Sequence, residues 1–334
     1  MLNKDRIREI EAALRHKTVA VVGDFCLDIY WEADMTRSEL SRETPHFPLP
    51  VVEERVSLGA GGNVASNLAA LRPKQILAVS LYGNDWRGKL LAEEVGKLGI
   101  SPEWLVPSCQ KFTNAYCKPL RKGISSVVYE DPRLDFENAE PISAETEAAV
   151  ISHLREVSKQ ADILCVADQF RFGIVTEAVR QEIVSIAKSG LPVVVDSRYR
   201  IADYTDCILK PNEVECWKAV CGDDGYLSAE EDAFLHAADR LAARNRASVF
   251  CTLGEKGSYF TDGNQQIRTP ARKLSGELDI CGAGDTTLSA FTCALVAGAT
   301  TEEAAELAAL ASAVTVKKIG ETGTASFEEI LSLI

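Results

Sequence analysis

Nothing in this sequence approaches the roughly 20 consecutive apolar residues that a membrane-spanning helix requires. The opening stretch, MLNKDRIREIEAALRHK, carries charge throughout and has no continuous apolar centre. It reads as an amphipathic helix and not as a signal peptide, so the expectation is a cytoplasmic protein without a membrane partner. Histidine is scarce, with four in the chain, and none stands in ligand spacing with a cysteine. The ten cysteines, at 26, 109, 117, 165, 207, 216, 221, 251, 281 and 293, form no CxxC pair. Free thiols in a reducing compartment are the expectation. No GxGxxG follows the first strand-like run, which argues against a dinucleotide-binding entrance. Basic residues are outnumbered, 36 against 49 acidic, for a formal net charge of −13. So acidic a chain repels a phosphate backbone, which makes nucleic acid an unexpected partner, although a local Arg/Lys cluster can still hold a small anion.

What is present is an ordinary globular composition, 46% hydrophobic and 25% charged, long enough at 334 residues to bury a large core. Short β-branched runs at 19–22, 76–81, 163–167, 193–196, 207–210 and 249–253 alternate with amphipathic patterns at 62–71, 87–98, 144–159, 176–188 and 229–245. This alternation predicts an α/β fold, a mostly parallel sheet with helices on both faces, whose ligands gather beyond the carboxyl ends of the strands. Residues 29–58 and 111–133 break the helical period and carry β-type alternation with turn signals. They predict a small accessory β-sheet that acts as a lid.

The most informative segment is DICGAGDTTLSAFTCALVAG, 279–298. Gly282, Ala283 and Gly284 stand before Asp285 at the start of a helix, where unpaired N–H groups and the positive dipole end favour an anion. Phosphoryl transfer needs such a cradle together with a base for the attacking hydroxyl, and Asp285 is the candidate base. A turn with an Asp cap is the plainer alternative. A second glycine cluster, Gly59 and Ala60 onward, runs into a helix carrying Asn63, whose amide suits sugar hydroxyls. Strand ends deliver Asp24 and Asp28 in GDFCLD, and Asp168 after 163–167, as acceptors for hydroxyls. LKPNEVE supplies Asn212 and Glu215, and CTLGEKG supplies Thr252, Gly254 and Gly257, for nucleotide phosphates and hydrated Mg²⁺. GNDWRGKL imitates a P-loop, but Leu90 replaces the metal-holding Ser/Thr and Asp85 opposes phosphate.

Taken in order, GDxxxD, the Gly-rich segment with Asn63, GNDxxG, PNxxE, TxGxxG and GAGD closely resemble the ribokinase-like (PfkB) carbohydrate kinases, over nearly the whole chain. The resemblance implies one ribokinase-like domain over 1–334, with a sheet of about nine strands and a β lid. It implies ATP and Mg²⁺ as cofactors, Asp285 as base, Gly282–Gly284 as anion hole, and Asp28 and Asn63 on the sugar. It also implies a K⁺ site beside the anion hole, formed by Asp279, the Cys281 carbonyl and the loop after Lys317. Ile280 and Cys281 depart from the usual Thr or Val, and Ala60 from a second Gly, which narrows the sugar floor by a methyl group.

Within the family, GDFCLDIYW, VVEERVSLGAGGNVASN and RLDFE look most like the heptose 7-phosphate kinases, although the lid SELSRETPHFPLPV departs from their SRxSPEAPVPV. The resemblance implies phosphorylation at the anomeric oxygen of an already phosphorylated sugar. Arg121 and Arg133 are the expected cations for the substrate phosphate, among the basic residues Arg37, Arg42, Lys118 and Arg171 near the lid. Alternatives are a kinase of an unphosphorylated sugar or nucleoside, and a non-catalytic sugar sensor on the same fold. Ile29, Tyr30, Trp31, Phe47, Val51 and Val52 exceed what a thin lid can bury, so a homodimer through the lids is expected.

Overall fold

The computed structural model describes residues 2–222, 224–320 and 322–334. In chain order the strands are β1 (Thr18–Gly23), β2 (Phe25–Asp34), β3 (Val51–Ala60), β4 (Gln75–Gly83), β5 (Leu105–Ser108), β6 (Ala115–Lys122), β7 (Val128–Glu130), β8 (Leu134–Phe136), β9 (Ile163–Asp168), β10 (Val193–Ser197), β11 (Ile208–Leu209), β12 (Ser248–Thr252), β13 (Ser258–Thr261) and β14 (Gln266–Thr269). Nine of them form one sheet in the order β14-β13-β12-β11-β10-β9-β1-β4-β5. It is parallel from β12 through β5, and β13 and β14 extend it as an antiparallel hairpin.

The central strands are apolar at consecutive positions because both of their faces are covered. Val19 and Val21 enter one core with the helices Lys4–Leu14, Gly61–Leu71, Ala283–Val296 and Thr301–Thr315. Ala20 and Val22 enter a second core with Ala144–Ser158, Glu177–Lys188 and Glu231–Asn245. This is the layered α/β architecture that the strand–helix alternation predicts. None of the described helices is long and apolar enough to cross a membrane. All ten cysteines are unpaired thiols, most of them buried.

The lid is a five-stranded sheet, β3-β2-β6-β7 with β8 beside β6. Its strands begin earlier and end later than the pattern predicts. β2 follows β1 after a single residue, Asp24, so no loop separates the lid from the core strand, and β8 extends past 133. Period two divides the lid into two faces. Leu27, Ile29, Ala115 and Cys117 pack into the core. Asp28, Tyr30, Tyr116 and Lys118 occupy the opposite face, in register across β2 and β6. Ile29 and Tyr30 are therefore buried and do not belong to an exposed lid patch.

Candidate active site

The turn before the helix Ala283–Val296 brings three parts of the chain together. Gly282 has φ 78°, and a Cβ there would lie 2.8 Å from Thr322 Cγ2 and 2.9 Å from Asn63 Nδ2, so glycine is required. Gly284 and Asp285 occupy the first helical turn, where backbone N–H groups have no acceptor within the helix and the dipole is positive. Asp285 Oδ2 accepts a 2.7 Å hydrogen bond from Asn63 Nδ2. Burial pushes the Asp285 carboxyl up to about 7, against the opposing pull of the Asn63 bond and the Lys210 ammonium. A carboxylate with that affinity is matched to taking a proton from a hydroxyl near neutral pH.

Asn63 is buried on the helix Gly61–Leu71, and its amide is engaged with the base instead of standing free for a sugar. Its Oδ1 accepts from Asn67 Nδ2 at 3.3 Å, Asn67 Oδ1 accepts from Thr286 Oγ1 at 2.8 Å, and Thr286 pairs with Thr315 at 3.1 Å. Ala60 enters this helix at φ 49° and ψ −127°, a conformation suited to glycine. Gly59 leaves room for Asp28, whose Cγ would lie 3.1 Å from an added Cβ.

On the opposite flank, Asn212 and Thr252 are bridged at the carboxyl ends of adjoining strands. Asn212 and Glu215 form a capping box on the helix Glu213–Cys221: Glu215 N donates to Asn212 Oδ1 at 2.8 Å and Asn212 N to Glu215 Oε2 at 2.9 Å. These oxygens are thus partly committed to the helix start and do not project freely. Gly254 and Gly257 form the tight turn after β12, with φ of 57° and 99°. Leu253 N donates to Gly257 O within it at 2.8 Å. Burial, and then the charge of Asp196, push Glu215 up to about 7.

Sequence reasoning missed Lys210 and Asp196. The Lys210 ammonium is buried 2.9 Å from Asp196 Oδ2, and a Cβ on Gly284 would lie 3.9 Å from it. A fixed cation therefore lies beside the first turn of the Asp285 helix. Its position directly before Pro211 and Asn212 was the available signal. The neighbouring Asp196 and Glu215 carboxylates repel each other, and no group of three or more metal-type side chains occurs among the described residues. That set fits Mg²⁺ carried largely by phosphate oxygens and water, with Glu215 and Asp196 at its outer edge. Asp279 joins two loops: Cys281 N donates to its Oδ1 at 2.9 Å and Gly320 N to its Oδ2 at 3.0 Å. Within the loop after Lys317, Glu321 lies outside the described residues.

On the lid side, Asp28 Oδ2 accepts from Thr322 Oγ1 at 3.1 Å, and Asp28 Oδ1 lies 3.5 Å from the buried Lys118 ammonium. Four expected substrate residues are placed otherwise. Asp24 accepts from the N–H groups of Gln169, Phe170 and Ile174 at 2.7–2.8 Å, so it clamps the loop after β9 and has no free oxygen for a sugar. Asp168 is fully buried, bonded to Ser197 and Tyr204 and ion-paired with Arg200. Arg121 falls on the lid face opposite Lys118, paired with Asp131 at 2.7 Å. Arg133 reaches the cleft face, 4.1 Å over the Tyr116 ring, but both of its bonds go to Asp135. Arg37, Arg42 and Arg171 are exposed. In the P-loop imitation, Asp85 caps the helix Trp86–Lys97 through Gly88 N at 2.7 Å and accepts from Thr113 N, a structural use of the GND motif.

A base beside an N-terminal anion cradle, facing a polar lid, is the arrangement of a hydroxyl kinase, and residues 17–327 match the pfkB family carbohydrate kinase pattern. The chain belongs to the pfkB family of carbohydrate kinases. Among similar curated proteins, this pfkB family member is 32% identical over 326 residues to the bifunctional protein HldE of Caulobacter vibrioides, covering 95% of this chain and 63% of that protein. It is 31% identical to the HldE of Mesorhizobium japonicum, covering 94% and 61%. The chain thus spans less than two thirds of these relatives. Arabidopsis thaliana ribokinase complexed with ribose and ATP superposes with a TM-score of 0.71 at 22% identity, over 95% of this chain and 98% of that one. Escherichia coli phosphofructokinase-2 with fructose-6-phosphate gives 0.72 at 18% identity, over 95% and 97%. Both show the ribokinase-like fold.

Proposed function

We propose that this pfkB kinase transfers the γ-phosphoryl group of ATP to the anomeric hydroxyl of D-glycero-D-manno-heptose 7-phosphate. The observation that carries the chemistry is the buried Asp285 carboxyl, raised to about 7 and held by Asn63 at the start of its helix. The substrate choice is supported by the heptose-kinase-like stretches GDFCLDIYW and RLDFE and by the likeness to the HldE proteins.

Asp285 takes the proton of the attacking hydroxyl as its oxygen bonds to the γ-phosphorus, and the bond to the departing ADP oxygen breaks. Asn63 fixes the orientation of the accepting carboxylate. The first-turn N–H groups of Gly284 and Asp285, with the Lys210 ammonium, meet the charge that gathers on the transferred group. Asn212, Thr252 and the Gly254–Gly257 turn line the nucleotide side. Mg²⁺ bound with ATP supplies charge neutralisation on the phosphates. K⁺ at Asp279 would brace the loop before Gly282, and Asp28 orients the acceptor.

One observation favours a second reading, an acceptor without phosphate: Arg121 and Arg133 are each neutralised by a carboxylate, Asp131 and Asp135. A screen of ATP turnover against phosphorylated and free sugars separates the two. Heptose 7-phosphate as the best acceptor supports the first, and a free sugar or nucleoside overturns it.

A further inference from the structure

The cleft face of the lid presents two cross-strand rows. Ser57 stands directly opposite Asp28 on β3 and β2, and Asp28 is in register with Tyr116 on β6. In the next row, Lys118 is in register with Tyr30. Directly opposed residues share a face, so Ser57, Asp28 and Lys118 converge on the same side as Thr322 and the turn of Gly282.

Two of these groups are left short of partners. The Ser57 hydroxyl is buried and bonds to nothing. An unsatisfied buried hydroxyl costs stability that a folded chain retains only where something else offsets it, commonly at a functional site. An ammonium has three donors. Lys118 gives one to the Tyr30 hydroxyl at 3.0 Å and meets Asp28 only at a loose 3.5 Å, so donor capacity remains beside Asp28 Oδ1.

We propose that Ser57 and Lys118, flanking Asp28 on the cleft face of the lid, bind two neighbouring hydroxyls of the acceptor and set its specificity. This rests on the sugar-kinase reading above. One hydroxyl donates to Asp28 and accepts from Lys118, and its neighbour satisfies Ser57. Asp28 and Lys118 cancel in charge, and an anionic substituent placed here would lie against the Asp28 carboxylate. The subsite therefore selects an uncharged vicinal diol, and any substrate phosphate lies away from it.

The test uses the whole chain. The best acceptor from a panel of free and phosphorylated sugars is compared with its monodeoxy analogues, in the wild type and in Lys118→Met and Ser57→Ala. Lys118→Met is expected to raise the acceptor KM by about 10- to 150-fold, and Ser57→Ala by about 2- to 13-fold, as for charged and neutral hydrogen bonds respectively. In each, KM for ATP stays unchanged. The variants should also lose the wild-type preference for the acceptor over the analogue that lacks the matching hydroxyl. Ser57→Ala breaks no bond within the protein and removes an unpaired buried hydroxyl, so its Tm is at or above that of the wild type, which guards against a folding artefact in Lys118→Met. Unchanged acceptor KM and unchanged discrimination in Ser57→Ala overturn the inference while leaving the kinase reading intact. If no sugar in the panel is turned over, the kinase reading fails and the inference with it.

Discussion

Asn63 and Asp285, 222 residues apart in sequence, are joined by a 2.7 Å hydrogen bond from amide to carboxylate. Because Asn63 Oδ1 faces Asn67, its amide group is turned toward the base, and the base in turn has a fixed orientation. This relationship defines the first prediction.

Asp285→Asn should lower kcat by roughly 100-fold or more while ATP still binds, as loss of a general base predicts. In the wild type, kcat/KM should rise with pH through about 7, the affinity of the ionising Asp285. Stability should move the other way. A carboxyl whose folded pKa exceeds its unfolded value holds more protons when folded, so its ionisation erodes stability as pH rises from about 4 toward neutrality. The Asn variant lacks that cost. It should melt higher than the wild type at pH 8, with the difference shrinking at pH 5. Calorimetry at the two pH values and a pH–rate profile check both statements.

Lys210 pulls the Asp285 carboxyl downward. Lys210→Met should therefore shift the rising limb of the pH–rate profile to higher pH, in addition to lowering kcat. A variant with reduced kcat but an unshifted profile would show that Lys210 acts on the nucleotide alone.

Ala60 holds a positive φ of 49° that costs an alanine and not a glycine. Ala60→Gly is expected to stabilise the protein by about 0.5–1 kcal/mol, the reverse of the usual glycine penalty. Urea unfolding measures it. A loss of stability would mean that packing of the methyl group outweighs the backbone strain.

Arg121 and Arg133 should now behave differently. Arg121→Ala, on the far lid face, should leave acceptor KM unchanged. Arg133→Ala should raise KM for a phosphorylated sugar by about 10-fold or more if Arg133 exchanges Asp135 for the substrate phosphate. Steady-state kinetics on both variants decide whether the phosphate lies near Tyr116.

The outer lid leaves Phe47 64%, Val51 49% and Val52 50% exposed, near the charged edge of β3. A homodimer formed through this surface should be visible by light scattering at micromolar concentration, and Val51→Asp with Val52→Asp should dissociate it. A monomeric wild type counts against lid pairing.

The sheet, the flanking helices and the Asp285 turn were legible because they depend on local signals: β-branched runs, a 3.6-residue period, glycines before a helix. What the sequence concealed depends on pairing across the chain. GDFCLD contains two aspartates four residues apart with the same appearance, yet Asp24 faces the loop after β9 and Asp28 faces the cleft. Their division follows from where β1 gives way to β2, a boundary of one residue with no loop to mark it. Arg121 likewise looked like a neighbour of Arg133 until strand register put it on the other face. Lys210 gave no sign of its partner Asp196, which belongs to the adjacent strand.

Asp24 is the single residue between β1 and β2, and it is fastened on every side. Asp24 N donates to Ala167 O at 3.0 Å, Asp24 O accepts from Gly61 N at 2.8 Å, and its carboxylate takes three more N–H groups. A residue held by that many hydrogen bonds is a poor hinge. A strand built in at one end is stiffest at its root, so any bending of the lid would grow along β2 from Phe25 toward Asp34, and Asp28, close to the clamped end, would keep its place.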